Sequence, residues 1–473
     1  MRTLRLAAVL VLAALVAPAS AAAHSGLSST KNLPLPEVVF AWAAAAVLVI
    51  SFAALAVMWP APKLERTPPW RPLPWGIGRA LGSRFVEIAC GALGVALLVL
   101  TIYAGYAGVQ DVPRNNFAPT FIMIIFWVGL VFASILLGDI FRAFNPWRAI
   151  GRATGAVLGR RAPAPRAYPE RLGRYPAALV LLLFTWIELV GQWATVPSRL
   201  ATAALGYTVV TLAAQAVWGT ETWTRRGEGF SVYFNFISRI SAFETRDRVI
   251  GLRPPLGGLP RLDPVTGTVA AVVVMIGTVT YDGLQQGTLW NDVAPDIQDA
   301  FTSIGFGVVT SERLVGTLGL LLGVALVGGF YLVGIEGART VGGNLSAAQL
   351  RRAFIHTLVP IAAVYVIAHY LTYLVYDGQN LRYLISDPLG KGWDLFGTAA
   401  QGVDYSILSQ ETARWIWIGV IVLGHVAGLT LAHDRALSLY GDAKLAVRSQ
   451  YWMLSIMVGF TSLALWLLFQ ANR

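Results

Sequence analysis

The chain has 473 residues, 56% of them hydrophobic and 13% charged, with a mean hydropathy of +0.61. A soluble domain averages about 25% charged residues, so this composition excludes one and, with its repeated apolar runs, points to a polytopic membrane protein. The formal charge of +11 reads as loop charge on one side of a membrane rather than a nucleic-acid surface, and the lone Cys90 excludes a disulfide framework or a cysteine metal cluster.

Residues 1–23 have the pattern of a signal peptide. Arg2 and Arg5 form the charged start, Leu6 to Val16 the short apolar stretch, and Ala17 to Ala23 a small-residue cleavage region. One cut follows Ala21; the other follows Ala23 and makes His24 the mature N-terminus. A terminal histidine offers its amine and imidazole together, a good nitrogen pair for Cu(II).

The mature chain, 24–473, then reads as one all-α membrane domain of about ten spans. These are about 38–59, 85–108, 118–138, 176–194, 200–219, 265–285, 313–334, 353–376, 412–433 and 449–469. A cleaved signal starts the first span outside. The loops then predicted inside hold about 26 Lys and Arg and everything outside about 8, which satisfies the positive-inside rule. Ten spans return the C-terminus to the outside of the plasma membrane. Segment 228–244 is aromatic, amphipathic and too polar to span, so it is expected along the inner interface. The outer loops 286–312 and 377–411, carrying Trp290, Trp393 and Phe396, are long enough to form either a lid or an interfacial packing segment.

Ionisable residues inside apolar spans are expensive and mark function. At about 1.5 Å per residue, Glu188 lies about 10 Å and His369 about 12 Å from the outer ends of their spans, and Asp282 and Gln192 about 5 Å. His425 comes out near the midplane. His356 and His433 fall at the inner interface beside Arg351, Arg352, Asp434 and Arg435, where structural pairing is expected. Carboxylate plus imidazole is the ligand set of a divalent metal such as zinc or copper, and equally that of a proton relay. Glu188, Asp282 and His369 are therefore the candidate catalytic and metal-binding residues, with His425 and His24 as further candidate ligands. Bis-histidine haem is disfavoured by angle: His356 and His369 stand about 140° from alignment, and His425 and His433 about 80°. There is no Walker A, G-x-S-x-G, H-E-x-x-H or C-x-x-C motif, and the glycines of 76–82 follow a Pro-rich loop rather than a strand.

Several stretches carry a family resemblance. They are Asn116-Phe-Ala-Pro-Thr120, Gly138-Asp-Ile-Phe-Arg-Ala-Phe-Asn-Pro-Trp-Arg148, Tyr168-Pro-Glu-Arg-Leu-Gly173, Phe230-Ser-Val-Tyr-Phe234 and the region from Gly424-His to Ala432-His-Asp-Arg-Ala436. Together they resemble an actinobacterial-type group of polytopic membrane proteins labelled fenitrothion hydrolase, over nearly the whole mature chain. The resemblance implies hydrolysis of an apolar organophosphate triester and supplies no catalytic residues. A metal held by Glu188, Asp282 and His369 would activate water for that chemistry. Two other readings stay open: a transporter for copper or a small solute, and a non-catalytic subunit of a membrane complex. The partners expected are the lipid bilayer and a small apolar substrate or metal ion, with no nucleic acid.

Overall fold

The computed structural model describes residues 37–66, 69–159, 164–342 and 345–471. The expected signal at 1–23 and His24 lie outside the described residues.

The protein is all-α. In chain order its helices are α1 (Glu37–Met58), α2 (Arg84–Ala107), α3 (Phe117–Leu137), α4 (Ile140–Phe144) and α5 (Pro146–Leu158). There follow α6 (Tyr175–Leu189), α7 (Pro197–Trp218), α8 (Thr220–Arg226), α9 (Gly229–Ser238), α10 (Thr268–Gln285), α11 (Thr288–Ser303) and α12 (Val308–Arg339). The last are α13 (Ala347–Phe354), α14 (Val359–Tyr376), α15 (Asn380–Ser386), α16 (Gln410–Tyr440) and α17 (Ala443–Ala471). A helix falls on every one of the ten expected spans. Among the described residues seven segments are long and apolar enough to cross a membrane: α2, α3, α7, α10, α12, Ala347–Ser386 and α16. Apolar stretches of α1 and α6 are shorter.

Local chemistry sets the helix starts. Ser83, Asn116, Asn145, Glu228, Ser346 and Ser409 each accept a hydrogen bond from an orphan N–H of the first turn that follows. Pro146 and Pro197 occupy first positions, where a missing N–H does no harm. Large apolar side chains stand fully outward on several helices, among them Phe85 (80% exposed), Ile88, Val99, Val209 and Val210. A water-soluble monomer rarely shows so continuous an apolar surface, whereas lipid tails cover it without penalty.

Helix α10 is the centre. Within its apolar window 78% of residues are buried, against 17–44% for the other six segments. It packs on α6, α12 and α14. Against α3 and α6 lies α9, whose residues Phe230, Val232, Tyr233, Phe234, Phe236 and Ile237 are all buried. Phe126, Trp127, Phe141, Trp147, Phe184 and Tyr207 pack their rings around it. This corrects the expectation for 228–244. The segment is enclosed by protein, because Glu228 caps its N-terminus internally and nearly every side of the helix is apolar or aromatic.

Three short strands, β1 (Arg71–Pro72), β2 (Phe243–Arg246) and β3 (Val249–Leu252), form an antiparallel sheet in the order β1-β3-β2. Gly78 and Gly82 allow β3 to approach: a Cβ would stand 2.2 Å from the Ile250 carbonyl oxygen at the first and 1.9 Å from that of Arg248 at the second. Those glycines serve backbone packing. On the same arginine-rich face, buried Asp434 takes hydrogen bonds from Trp59 Nε1 (2.8 Å) and from the backbone N–H of Lys63, Leu64 and Glu65 (2.6, 2.8 and 2.8 Å). Arg435 pairs with Glu65 at 2.9 Å. Helix α16 thereby anchors the chain leaving α1.

Two outcomes follow. Asp434→Ala strands three backbone donors and an indole and lowers stability by about 2–4 kcal/mol, read as a lower detergent-solubilised unfolding midpoint. The second concerns Glu244. Burial raises its carboxyl, but bonds from Arg246 and Arg261 and the charge of Arg253 outweigh burial and hold it below its ordinary 4.5. A carboxylate held low adds stability above its ordinary range and loses it as pH falls through the lowered value. The unfolding midpoint therefore drops as pH falls below 4.5. Glu244→Gln removes that part of the drop; identical curves for the two proteins contradict the assignment.

Candidate functional site

Asp282 lies in the last turn of α10, 3% exposed and surrounded by side-chain donors. On Oδ2 it accepts from His369 Nε2 at 2.8 Å and from the Tyr370 hydroxyl at 2.5 Å. On Oδ1 it accepts from Gln285 Nε2 at 2.9 Å and Gln286 Nε2 at 3.2 Å. The helix geometry explains the grouping. Gln285 and Gln286 follow Asp282 at three and four residues, the spacing that brings side chains together on one face. His369 and Tyr370 are adjacent on α14, which packs on α10.

This is the one strong convergence of expected site residues: Asp282 and His369 are a direct pair. An ionised carboxylate only accepts, so the imidazole proton it binds sits on Nε2 and the neutral ring keeps its lone pair on Nδ1. The His369 side chain is 10% exposed, so the ring is not wholly sealed.

Glu188 sits nearby and is held differently. Helix α6 ends at Leu189, earlier than the expected end at 194. Gly191 and Trp193 bond back to Trp186 and Ile187, and Gln192 takes a left-handed φ of 56°. Glu188 is therefore in the terminal turn rather than a turn and a half inside. Its Oε2 is buried and accepts no hydrogen bond among the described residues. It lies within Coulombic reach of Asp282, Tyr233, Tyr370 and Tyr373. Gln192 is turned away to Glu312, at 2.9 Å.

Two residues that sequence reasoning missed belong to this neighbourhood. Tyr233 on α9 and Trp127 on α3 stack with centroids 4.8 Å apart, and the Tyr233 hydroxyl and Trp127 Nε1 are buried without partners among the described residues. The only sequence signal for Tyr233 was its place in Phe230-Ser-Val-Tyr-Phe234. Trp127 had none, being one aromatic in an apolar run. Tyr281, next to Asp282 in the chain, lies edge-on to Trp290 of α11 at 5.5 Å. A Cβ at Gly319 would touch both rings at 2.4 Å, so glycine makes room for that packing. The 377–411 loop is tied down by its own polar groups: Asp387 accepts from Lys391 and Gly392 N–H, and Gln379 bonds the backbone of Asp404.

The other histidines do not join the site. His425 donates from Nδ1 to the Ile421 carbonyl of its own helix at 2.8 Å, and its Nε2 is buried and unpartnered. His356 does the same with Ala353 at 2.9 Å. His433 bonds Gln450 and the Trp59 carbonyl, both at 3.1 Å. The expected divalent-metal set of Glu188, Asp282, His369 and His425 is not assembled. Among the described residues no group of three or more His, Cys, Asp or Glu side chains is arranged to hold an ion. The reason is saturation: four donors already occupy both oxygens of Asp282, and His425 is turned to its own backbone. His24, the remaining candidate, lies outside the described residues.

No family model matches the chain, and comparison with curated proteins and with solved structures returns no match. The chain is thus defined by its class, an all-α protein with apolar helices suited to a bilayer, and function is argued from the site.

Removing one member of a buried pair costs more than the pair contributes. Asp282→Ala, which strands His369, Tyr370 and two amides, lowers stability by about 3–5 kcal/mol. Asp282→Asn, which still accepts hydrogen bonds, loses less than half of that. Thermal unfolding of both variants in detergent checks the ranking; equal losses contradict it.

Proposed function

We propose that this chain is a ten-span plasma-membrane protein, with its signal removed and both mature termini outside, that hydrolyses small apolar esters of the organophosphate kind. The observation that carries the reading is the 2.8 Å bond from His369 Nε2 to Asp282. It is the orienting contact of a carboxylate–imidazole general base. The resemblance noted in the sequence supports the substrate class, and an apolar ester partitions into the lipid around such a bundle.

His369 Nδ1 takes a proton from water as the water oxygen bonds to the electrophilic centre. Asp282 offsets the charge that develops on the imidazolium. The ester bond to the leaving oxygen then breaks, and that oxygen receives the proton from His369. Water and triester give diester and alcohol, with no net change in the protein. The unpartnered Glu188 oxygen accepts from the attacking water and orients it. The Tyr233 hydroxyl and Trp127 N–H are the free donors for developing negative charge. No step is routed through a metal, since the residues present do not fit one.

A second reading has its own observation. An unpartnered buried carboxylate beside an Asp–His pair is also the arrangement of a proton-coupled carrier. Glu188→Gln separates the two. In a hydrolase it slows turnover while binding persists; in a carrier it abolishes proton-linked flux of the solute.

The test is turnover of a chromogenic phosphotriester by purified protein. Wild type is expected to hydrolyse it, and His369→Gln, whose amide can still donate to Asp282, to lose on the order of 10²–10⁴-fold with the helical signal retained. Absence of turnover in folded wild type, with proton uptake driven by an added solute in proteoliposomes, overturns the hydrolase reading in favour of the carrier.

A further inference from the structure

The segment between β1 and α2 is firmly held and yet shows a large apolar surface. Both of its flanks are clamped to β3. Leu73 N–H donates to the Ile250 carbonyl at 3.0 Å, and the short helix Ile77–Leu81 lies so close that Gly78 and Gly82 face the Ile250 and Arg248 carbonyls. Between the clamps Trp75 takes a left-handed backbone, with φ 53° and ψ 27°, and Gly76 follows at φ 75°. A bulky residue enters that region only at a cost in free energy. No packing within the protein offsets the cost, because Trp75 is 93% exposed. Ile77 and Leu81 are exposed as well, and Phe85 and Ile88 stand exposed on the first two turns of α2.

The same stretch carries Arg71, Arg79 and Arg84, all exposed. Elsewhere on this face Arg148, Arg152, Arg253 and Arg261 pair with Glu87 or Glu244. Arg71, Arg79 and Arg84 pair with no carboxylate among the described residues, so their charge is left for an outside partner. Arg84 is also the first residue of α2, the end at which the helix dipole disfavours a cation. The partner that fits is therefore apolar and anionic at once. Position decides its kind: the segment ends where α2, long and apolar enough to cross a membrane, begins. At that level a bilayer offers acyl chains for an indole and phosphates for guanidinium groups.

We infer that residues 71–85 form a site for anionic phospholipid. Trp75, Ile77 and Leu81 enter the apolar boundary of the bilayer beside α2, and Arg71, Arg79 and Arg84 hold the phosphates of acidic lipids. The clamp on β3 keeps the indole directed outward and ties the β2–β3 hairpin to the membrane surface. This site is separate from Asp282 and stands whether or not the hydrolase reading holds.

Lipid-resolved fluorescence quenching tests it. In full-length Cys90→Ala protein an NBD fluorophore is attached at Ile77→Cys, and in a control at Val209→Cys, on the exposed apolar surface of α7. Each is reconstituted with phosphatidylglycerol or phosphatidylcholine bearing a nitroxide near the top of the acyl chain. One arginine near an acidic surface favours it about fivefold, so the Ile77 label is expected to reach half-maximal quenching at an at least about fivefold lower mole fraction of phosphatidylglycerol than of phosphatidylcholine. The Val209 label should respond to both lipids alike. The combined Arg71→Gln, Arg79→Gln and Arg84→Gln substitutions should remove the preference; a preference that survives them overturns the arginine assignment. Equal quenching by the two lipids with the arginines intact overturns the site. So does quenching by aqueous iodide in place of lipid, which puts the segment in water. Protection from both overturns it too, since a second copy or another protein then covers the segment. Leu81→Cys carries the label if the Ile77→Cys protein does not fold.

Discussion

A carboxylate on the most enclosed helix of an apolar bundle has to be held by the protein itself, and the structure around the end of α10 is arranged to meet that demand. Asp282 draws in His369, Tyr370, Gln285 and Gln286. The first two lie on α14 and the last two continue from α10. Lipid offers no hydrogen bonds, so these donors cannot be replaced by solvent. The pairing therefore sets the register of α14 against α10, and with it the positions of Tyr373 and of the loop that follows. The same saturation explains why the carboxylate is poor as a metal ligand and good as the orienting partner of an imidazole.

The arginine-rich face obeys the same rule with different groups. His433, Asp434 and Arg435 are consecutive on α16, and each bonds the 59–65 segment. Arg148 is buried between Glu87 and Glu221 at 2.8 and 2.9 Å. These ties fix where the helices end. Half-exposed pairs elsewhere, such as Arg339 with Glu336, contribute little.

The stretches that carry the family resemblance turn out to be mostly architecture. Asn145 caps α5 and also donates to the Ser231 hydroxyl at 2.8 Å, so two of the stretches meet in one hydrogen bond. Phe141 and Trp147 of the first pack on Phe234 and Phe230 of the second. Asn116 bonds the carbonyls of Ala104 and Val109. Tyr168 closes onto the Gly173 carbonyl. Asp282, His369 and Glu188 lie in none of these stretches. Likeness in such residues speaks for a shared fold more directly than for a shared reaction.

The amino-acid sequence by itself determined that the protein is a helical bundle, because burying a backbone in lipid leaves a 20-residue apolar run little choice but helix. A helix stands on each of the ten expected spans. It also singled out Asp282, His369 and Glu188, since isolated charges in apolar runs are conspicuous without any knowledge of packing. Partnership was beyond it. That His369 reaches Asp282, 87 positions away, depends on which faces of α10 and α14 meet. Whether His425 or Glu188 joins them depends on rotations of the same kind. Helical period says which residues share a face but not which neighbour that face meets. For the same reason an aromatic stretch read as interfacial is buried as α9, and Tyr233 and Trp127 become visible only once three-dimensional packing shows that their polar atoms have been left without a partner among the described residues.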